Sequence, residues 1–130
     1  MARTDGRSVT AQLPLALPVF HILLALAEGE RHGYALKREI LRRTNGKVNL
    51  GAGALYGSIS RMLERGLIEE SEERPDFHLD DERRRYYRLT AAGQRAVKAE
   101  ARRYAELAEL ARRKRLLGKP IRAARVGGLA

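Results

Sequence analysis

The chain has 130 residues, with 26 Lys or Arg and 16 Asp or Glu, so its formal net charge is +10. This length predicts one compact domain with an appendage, and it suffices to bury a core without cross-links. Because the chain has no cysteine, disulfides and thiolate metal sites are excluded, as is typical of a reducing compartment. The apolar stretch 13–27 is too short for a membrane span, so we expect a cytoplasmic protein without a membrane partner.

The positive charge is concentrated in the C-terminal part of the chain. From Ala91 onward there are 11 Lys or Arg and 3 Asp or Glu residues, a net charge of +8, whereas residues 1–90 carry only +2. A strongly basic chain predicts a polyanionic partner. In the first 90 residues, only local basic clusters can identify a nucleic-acid surface.

The first half of the chain predicts an arm and two helices. Residues 1–14 begin with a polar stretch that has no hydrophobic periodicity, and we interpret them as a flexible N-terminal arm. Helix 1 is predicted from Pro18 to Gly29, and it is apolar nearly all round, as central helices are. Helix 2, over residues 32–44, has an apolar face and a basic face, and Asn45-Gly46 is a signal that stops it.

Helix 3 opens with small residues that weaken helices, in the stretch "GAGALYGSISRMLERG" that begins at Gly51. A phosphate-binding glycine loop is one explanation. However, Tyr56 takes the place of the third glycine of a dinucleotide fingerprint, and Gly57 is not followed by the Lys-Ser/Thr of a P-loop. The other explanation is a DNA-reading helix whose leading end approaches a groove closely. Its apolar positions predict a buried face formed by Leu55, Ile59, Met62 and Leu63.

The second half predicts a hairpin and a long helix. "LIEESEE" and "RRRYYRLT" indicate two strands around a polar turn, and Thr90 is a predicted N-cap for a helix over residues 91–117. Residues 118–130 are predicted to be a basic flexible tail. The last helix could fold back on its own domain or bind a membrane, but its long apolar stripe favours pairing with a second chain. The predicted dimerisation residues are Val97, Ala101, Tyr104, Leu107, Ala108 and Ala111.

These elements predict a mainly α fold with a small β-hairpin. Three helices followed by a hairpin are typical of a winged helix-turn-helix domain, here over residues 15–90, and a long C-terminal dimerisation helix follows it.

Three blocks of the sequence resemble the PadR family of bacterial transcriptional regulators over residues 19–95: "ILLALAEGERHGYALKREI", "GALYGSISRMLERGLI" and "RRYYRLTAAGQR". The resemblance implies a winged-helix dimer that represses transcription from a near-palindromic operator. The single C-terminal helix is similar to that of the family's compact subgroup. Two positions depart from the family pattern, which often has proline at Gly57 and a basic residue at Ser60.

The DNA contacts are expected from helix 3, from the residues before it, from the start of helix 2 and from the wing. Tyr56 could instead pack against the wing, Tyr34 could be a core residue, and the basic face of helix 2 could be merely solvated. Acidic residues near the wing tip would repel phosphates. Either they fold back onto the neighbouring arginines or the wing touches DNA only at its base, and we expect Arg84 or Arg85 to matter more than the tip. Ser58 is a further outward candidate. The predicted DNA-binding residues are Tyr34, Lys47, Asn49, Ala52, Gly53, Tyr56, Gly57, Ser60, Arg61, Arg84 and Arg85.

The sequence gives no sign of catalysis, and we predict no enzyme activity, metal or cofactor. His21, His32 and His78 are widely separated, and no nucleophile motif is present. A small-molecule effector is expected between the long helices and helix 1, with Phe20, His21, Tyr104 and Leu107 as candidates, although the same residues could form an interface core. The sequence thus predicts a homodimeric, sequence-specific DNA-binding regulator. The alternatives are a winged-helix protein adaptor and a non-specific nucleic-acid compacting protein.

Overall fold

The computed structural model describes residues 13–71 and 85–118. The predicted N-terminal arm up to residue 12, the wing tip including Arg84 and His78, and the predicted tail from residue 119 lie outside the described residues. The described elements confirm the mainly α fold with a small sheet. In chain order they are α1 (Leu17–Leu26), β1 (Arg31–His32), α2 (Gly33–Arg43), α3 (Ala52–Glu64), β2 (Ile68–Ser71), β3 (Tyr86–Leu89) and α4 (Ala91–Arg113).

Helices α2 and α3 end where the sequence predicts, and each is followed two residues later by a residue with positive φ. These are Asn45, at 55°, and Gly66, at 74°. In α3 the Leu67 amide then donates to the Met62 carbonyl oxygen at 2.9 Å, which satisfies one of the helix's last free carbonyls. The chain therefore leaves α3 directly into β2.

The start of α4 confirms the predicted cap. The hydroxyl of Thr90 accepts a hydrogen bond from the Gly93 amide at 3.0 Å and donates one to the Gly66 carbonyl oxygen at 2.5 Å. One side chain thus caps α4 and fastens it to the end of α3. Close packing continues one turn later, because a Cβ atom on Gly93 would lie 2.0 Å from the Leu67 carbonyl oxygen.

The other end of α4 differs from the prediction, since the helix stops at Arg113 and not at Leu117. Arg115 adopts a φ of 62°, and the Leu116 amide donates to the Ala111 carbonyl oxygen at 3.0 Å. This helix-ending geometry normally uses glycine, so the arginine at this position did not predict it.

Within the described residues the sheet has three strands in the order β1-β3-β2, all antiparallel. Strand β1 was not predicted, because two residues are too few to show alternation. Its last residue, His32, has a second function, since its ring nitrogen Nδ1 accepts a hydrogen bond from the Ala35 amide at 3.2 Å and caps α2. The short strand therefore fixes where α2 begins.

The core confirms α1 as the central helix, with Ile22 and Leu23 fully buried. The chain divides into two compact units, one up to Glu100 and one from Ala101 onward. At the end of the first unit, Glu100 has no exposed surface, and its carboxyl group accepts a hydrogen bond from the Leu15 amide at 2.9 Å. The residues that lead into α1 are thereby held against the first part of α4.

Candidate nucleic-acid interface

The leading end of α3 is open. Gly51 takes the N-cap position in an extended conformation, and no side chain among the described residues caps the helix. Ala52 and Gly53 are exposed, and a Cβ atom built on Gly51 or Gly53 would have no neighbour within 4 Å in the described part of the chain. The first turn of α3 therefore presents backbone amides and small side chains, so that a nucleic-acid groove could approach it closely.

The opposite face of α3 is anchored as predicted. Leu55, Ile59 and Met62 are buried, and Leu63 packs partly buried against the core. Ser58, which we expected to point outward, is only 1% exposed. That expectation was wrong, since Ser58 lies between the core positions 55 and 62 on the buried side of the helix.

Tyr56 is 48% exposed and lies at the junction of α3 with two other elements. Its ring covers Gly33 at the start of α2, where an added Cβ would come within 2.7 Å of the phenol oxygen. Burial is the main cause of a raised pKa for Tyr87 in β3, and the nearby Glu70 and Tyr56 raise it further. Tyr56 thus has an exposed surface and a packing role at once.

The residues just before α3 are tied to α2 by a lysine. The ammonium group of Lys37 donates to the Asn49 side-chain oxygen and to the Leu50 carbonyl oxygen, both at 3.0 Å. Asn49 and Lys47 are exposed. Lys37 therefore fixes the position of the segment before α3, in which Asn49 lies at the edge of the candidate interface.

The exposed face of α3 continues through Gly57, Ser60 and Arg61. Ser60 and Arg61 are exposed, and Gly57 is half-buried. The Arg61 guanidinium folds back over Gly57, with Nη1 3.6 Å from the position of an added Cβ, and its Nη2 donates to the Ser58 hydroxyl at 3.4 Å. A positive charge is thereby held on the surface of the helix.

The basic face of α2 has two parts, because ion pairs engage the arginine at its C-terminal end. Arg43 is bound to the carboxylates of Glu28 and Glu39, and its hydrogen bond with Glu28 raises the pKa of Arg43 and lowers that of Glu28. Tyr34 is 54% exposed, which excludes the core alternative, and the guanidinium of Arg38 lies 5.7 Å from its ring centre. The start and middle of α2 are therefore better suited to phosphates than its end.

The described base of the wing carries paired charges. Arg85 donates to Glu70 and Arg88 donates to Glu69, each at 2.9 Å across the β2–β3 pair. The hydrogen bond with Glu70 is the main cause of a raised pKa for Arg85. The predicted contact of Arg85 with DNA would thus compete with an exposed carboxylate, and such exposed pairs are weak. Arg84 lies outside the described residues.

The predicted dimerisation residues divide between the two units. Val97 is only 7% exposed and belongs to the core of the first unit, so it is not a surface residue as the dimer prediction requires. In the second unit Ala101, Tyr104, Leu107 and Ala108 are exposed and Ala111 is half-buried. These residues remain a continuous stripe along one side of α4, as their spacing of three and four requires.

The four effector candidates also lie in different units. Phe20 is 8% exposed and His21 is half-buried in the first unit, whereas Tyr104 and Leu107 are exposed in the second. The low exposure of Phe20 places it in the core of the first unit. An effector pocket stays a prediction.

The described part of the chain holds no group of three or more His, Asp or Glu residues that could bind a metal ion. Within residues 13–71 and 85–118, no helix is long and apolar enough to cross a membrane.

Comparison with known proteins gives both a family and a fold. The model of the transcriptional regulator PadR-like family matches residues 22–99. An uncharacterized 37.1 kDa protein in transposon TN4556 of Streptomyces fradiae is 35% identical over 86 residues, which are 66% of this chain and 22% of that protein. The chain thus spans about a fifth of the length of that relative. An uncharacterized protein X of Lysinibacillus sphaericus is 29% identical over 68% of this chain and 79% of its own.

Solved structures that share the fold include three transcriptional regulators. A PadR-like regulator of Bacillus cereus is 19% identical, with a TM-score of 0.63 over 88% of this chain and 100% of its own. A transcriptional regulator of Clostridium thermocellum is 23% identical, with a TM-score of 0.61 over 88% and 98%. PadR of Bacillus subtilis, solved in complex with operator DNA, is 17% identical, with a TM-score of 0.55 over 66% and 47%.

The family match covers more than half of the chain and includes α2, α3 and the described wing strands. This protein therefore belongs to the PadR-like family of transcriptional regulators.

Proposed function

We propose that the protein is a homodimeric repressor that binds a near-palindromic operator through α3. The observation that carries the proposal is the open leading face of α3, where Ala52 and Gly53 are exposed and Gly51 has open space at its Cβ position. The buried Leu55, Ile59 and Met62 hold this face rigidly from behind, as a reading helix requires.

The surroundings of α3 supply groups for the DNA backbone. Lys47, Asn49 and Tyr34 are exposed next to the leading end of α3 or at the start of α2, where contacts to phosphates would fix the register of the protein on the duplex. The structure of Bacillus subtilis PadR with operator DNA supports the same use of the shared fold.

The exposed apolar stripe of the second unit supports the proposed dimer. Tyr104, Leu107 and Leu110 are 38–50% exposed on a helix whose other side is charged. A two-fold dimer would cover these side chains and would present two reading helices to half-sites about one helical turn apart. A protein that occupies two such half-sites blocks access of polymerase to the DNA between them, which is the basis of repression.

The test is a gel shift with duplex fragments from the protein's own promoter region. We expect a shift that survives excess unrelated duplex and that weakens steeply as salt rises, because phosphate contacts release counterions. The variant Gly53→Glu should abolish the shift and keep the fold, since the site is open and an acidic residue suits the first turn of a helix.

A control variant with the same charge change is Ala105→Glu, at an exposed site of the second unit. It should leave the shift intact. Equal loss in both variants, or a wild-type shift that unrelated DNA removes completely, would refute operator binding. Truncation after Leu117 separates the compacting alternative, because a compacting protein would lose most of its binding and a repressor would keep its preference. In transcription from the same promoter in vitro, a repressor must lower the transcript level.

A further inference from the structure

Arg61 differs in its setting from three other arginines of this domain. Arg43, Arg85 and Arg88 are each bound to glutamate side chains. Arg61 forms no ion pair with the residues that the structure describes, and its one hydrogen bond is to the neutral Ser58 hydroxyl. Its charge is therefore not neutralised, although it is held in place.

The side chain is held in place by the helix itself. The guanidinium lies beside Gly57, with Nη1 3.6 Å from the position of an added Cβ, which is an ordinary packing distance. The Ser58 hydroxyl is 1% exposed and accepts from Nη2. A guanidinium has five N–H donors, so one bond to Ser58 leaves four for a ligand.

We infer that Arg61 is a specificity-determining residue that reads a guanine base in the major groove, and that Ser58 is its positioning residue. The inference rests on the proposed function. Guanine presents two acceptors, N7 and O6, to the major groove, and the planar fork of an arginine matches both. Arg61 is on the exposed face of the helix that the proposal sets in the groove, two turns beyond the open first turn.

A guanidinium that is already fixed before DNA binds favours base reading over phosphate binding. A long side chain loses conformational freedom when it is fixed on a base edge, and prior fixation lowers that cost. Phosphates can be reached by mobile side chains from many directions. A base edge has a fixed direction, which gives the hydrogen bond from Arg61 to Ser58 a functional reason.

The experiment is selection of bound duplexes from a pool with a randomised central segment, using the full-length wild type and three variants. Wild type should select a guanine at one position of each half-site. Arg61→Ala should lose the preference at that position only, with the rest of the selected sequence unchanged. Ser58→Ala should keep the same guanine with a several-fold weaker preference, because its effect passes through Arg61. Arg65→Ala, which removes an exposed arginine from the end of the same helix, should leave every base preference unchanged.

A second measurement uses the selected duplex with 7-deazaguanine at that position, which lacks the N7 acceptor. Wild type should bind it about tenfold more weakly, as expected for half of a bidentate contact. Arg61→Ala should bind both duplexes equally.

The outcomes separate the inference from the function beneath it. If wild type selects a sequence but Arg61→Ala weakens all duplexes uniformly, Arg61 binds phosphate and the inference is overturned alone. An unchanged guanine preference in Arg61→Ala overturns it in the same way. If wild type selects no sequence at all, the proposed function fails and takes the inference with it.

Discussion

The phenol ring of Tyr56 lies against the Cα atom of Gly33. A Cβ atom on Gly33 would be 2.7 Å from the hydroxyl oxygen of Tyr56 and 2.9 Å from its Cε1. This contact joins the candidate reading helix to the start of α2. The ring also contributes to the raised pKa of Tyr87 in the wing, after burial and Glu70. Because about half of Tyr56 stays exposed, the residue that connects these elements is also available to a DNA phosphate.

Replacement of Gly33 by alanine tests this contact. The methyl group would displace the end of the Tyr56 side chain, which can swing away, so the loss of stability should be small, about 1 kcal/mol or less. The affinity for the operator should fall several-fold, because the phenol moves from its place. Thermal unfolding and the gel shift measure the two effects.

Tyr56→Leu supplies the control for that variant. If displacement of the ring causes the loss, Gly33→Ala should have little further effect on DNA affinity in the Tyr56→Leu background. Fully additive losses in this double-mutant cycle would show that the two residues act independently.

Gly93→Ala is expected to be among the most damaging substitutions in the domain. An added Cβ would lie 2.0 Å from the Leu67 carbonyl oxygen, which is backbone and cannot rotate away. We expect a loss of roughly 3 kcal/mol or more in the free energy of unfolding, measured by denaturant titration. Gly53→Ala is the matched control, because its site is open and alanine favours a helix by about 1 kcal/mol. Similar stability of the two variants would contradict the close packing at Gly93.

Helix positions in this chain could be predicted from the sequence because their boundaries depend on local chemistry. Asn45 and Gly66 take the positive φ that ends α2 and α3, and Thr90 caps α4. The apolar spacing of three and four likewise indicates which side of α3 is buried. Each of these signals acts within one or two turns of the chain.

The features that were missed depend on contacts distant in the sequence. Strand β1 exists because Arg31 and His32 pair with Tyr87 and Tyr86, more than 50 residues later. Ser58 is a small polar residue that reads as exposed until its neighbours are known. Glu100 reads as a solvated charge on a basic helix, and only the fold brings the Leu15 amide to it. The Arg61 arrangement could be found in part, since its serine precedes it by one turn.

Alkaline pH should reveal the environment of Tyr87. Burial raises the pKa of Tyr87, Glu70 and Tyr56 raise it further, and Arg85 opposes them. Since the folded state keeps the phenol protonated, its contribution to stability is complete below about pH 10, the ordinary tyrosine value, and is lost as pH rises through the folded pKa. In an ultraviolet titration of tyrosinate, the last group to ionise before unfolding should be absent in Tyr87→Phe. An unchanged curve for Tyr87→Phe would be evidence against this shift.

The buried Glu100 should tolerate glutamine better than alanine. Alanine would leave the Leu15 amide without its acceptor in a fully buried place, which costs about 1–3 kcal/mol, in addition to the lost packing. Glutamine keeps an oxygen that can accept the bond. Denaturant unfolding of both variants gives the comparison, and a Glu100→Gln protein no more stable than Glu100→Ala would show that the negative charge, not the hydrogen bond, is what this position needs.

The apolar stripe of the second unit should determine the oligomeric state. Leu107 is 50% exposed, and an aspartate there would place a charge in the proposed dimer contact, which should be strongly unfavourable when buried. Leu107→Asp should be monomeric in sedimentation equilibrium, whereas wild type should have twice the mass of one chain. Ala105→Asp is the matched control, because Ala105 shares its side of α4 with Glu106 and Glu109, and it should remain a dimer.

The same pair of variants separates assembly from folding and connects assembly to DNA binding. Both should keep the helical circular dichroism of wild type, because position 107 is exposed within its own chain. With one reading helix per particle, Leu107→Asp should bind a complete operator no more tightly than a single half-site, since the gain from linking two contacts is lost. A Leu107→Asp protein that is still dimeric would exclude this stripe as the interface, and a monomer with undiminished operator affinity would remove the need for a dimer in recognition.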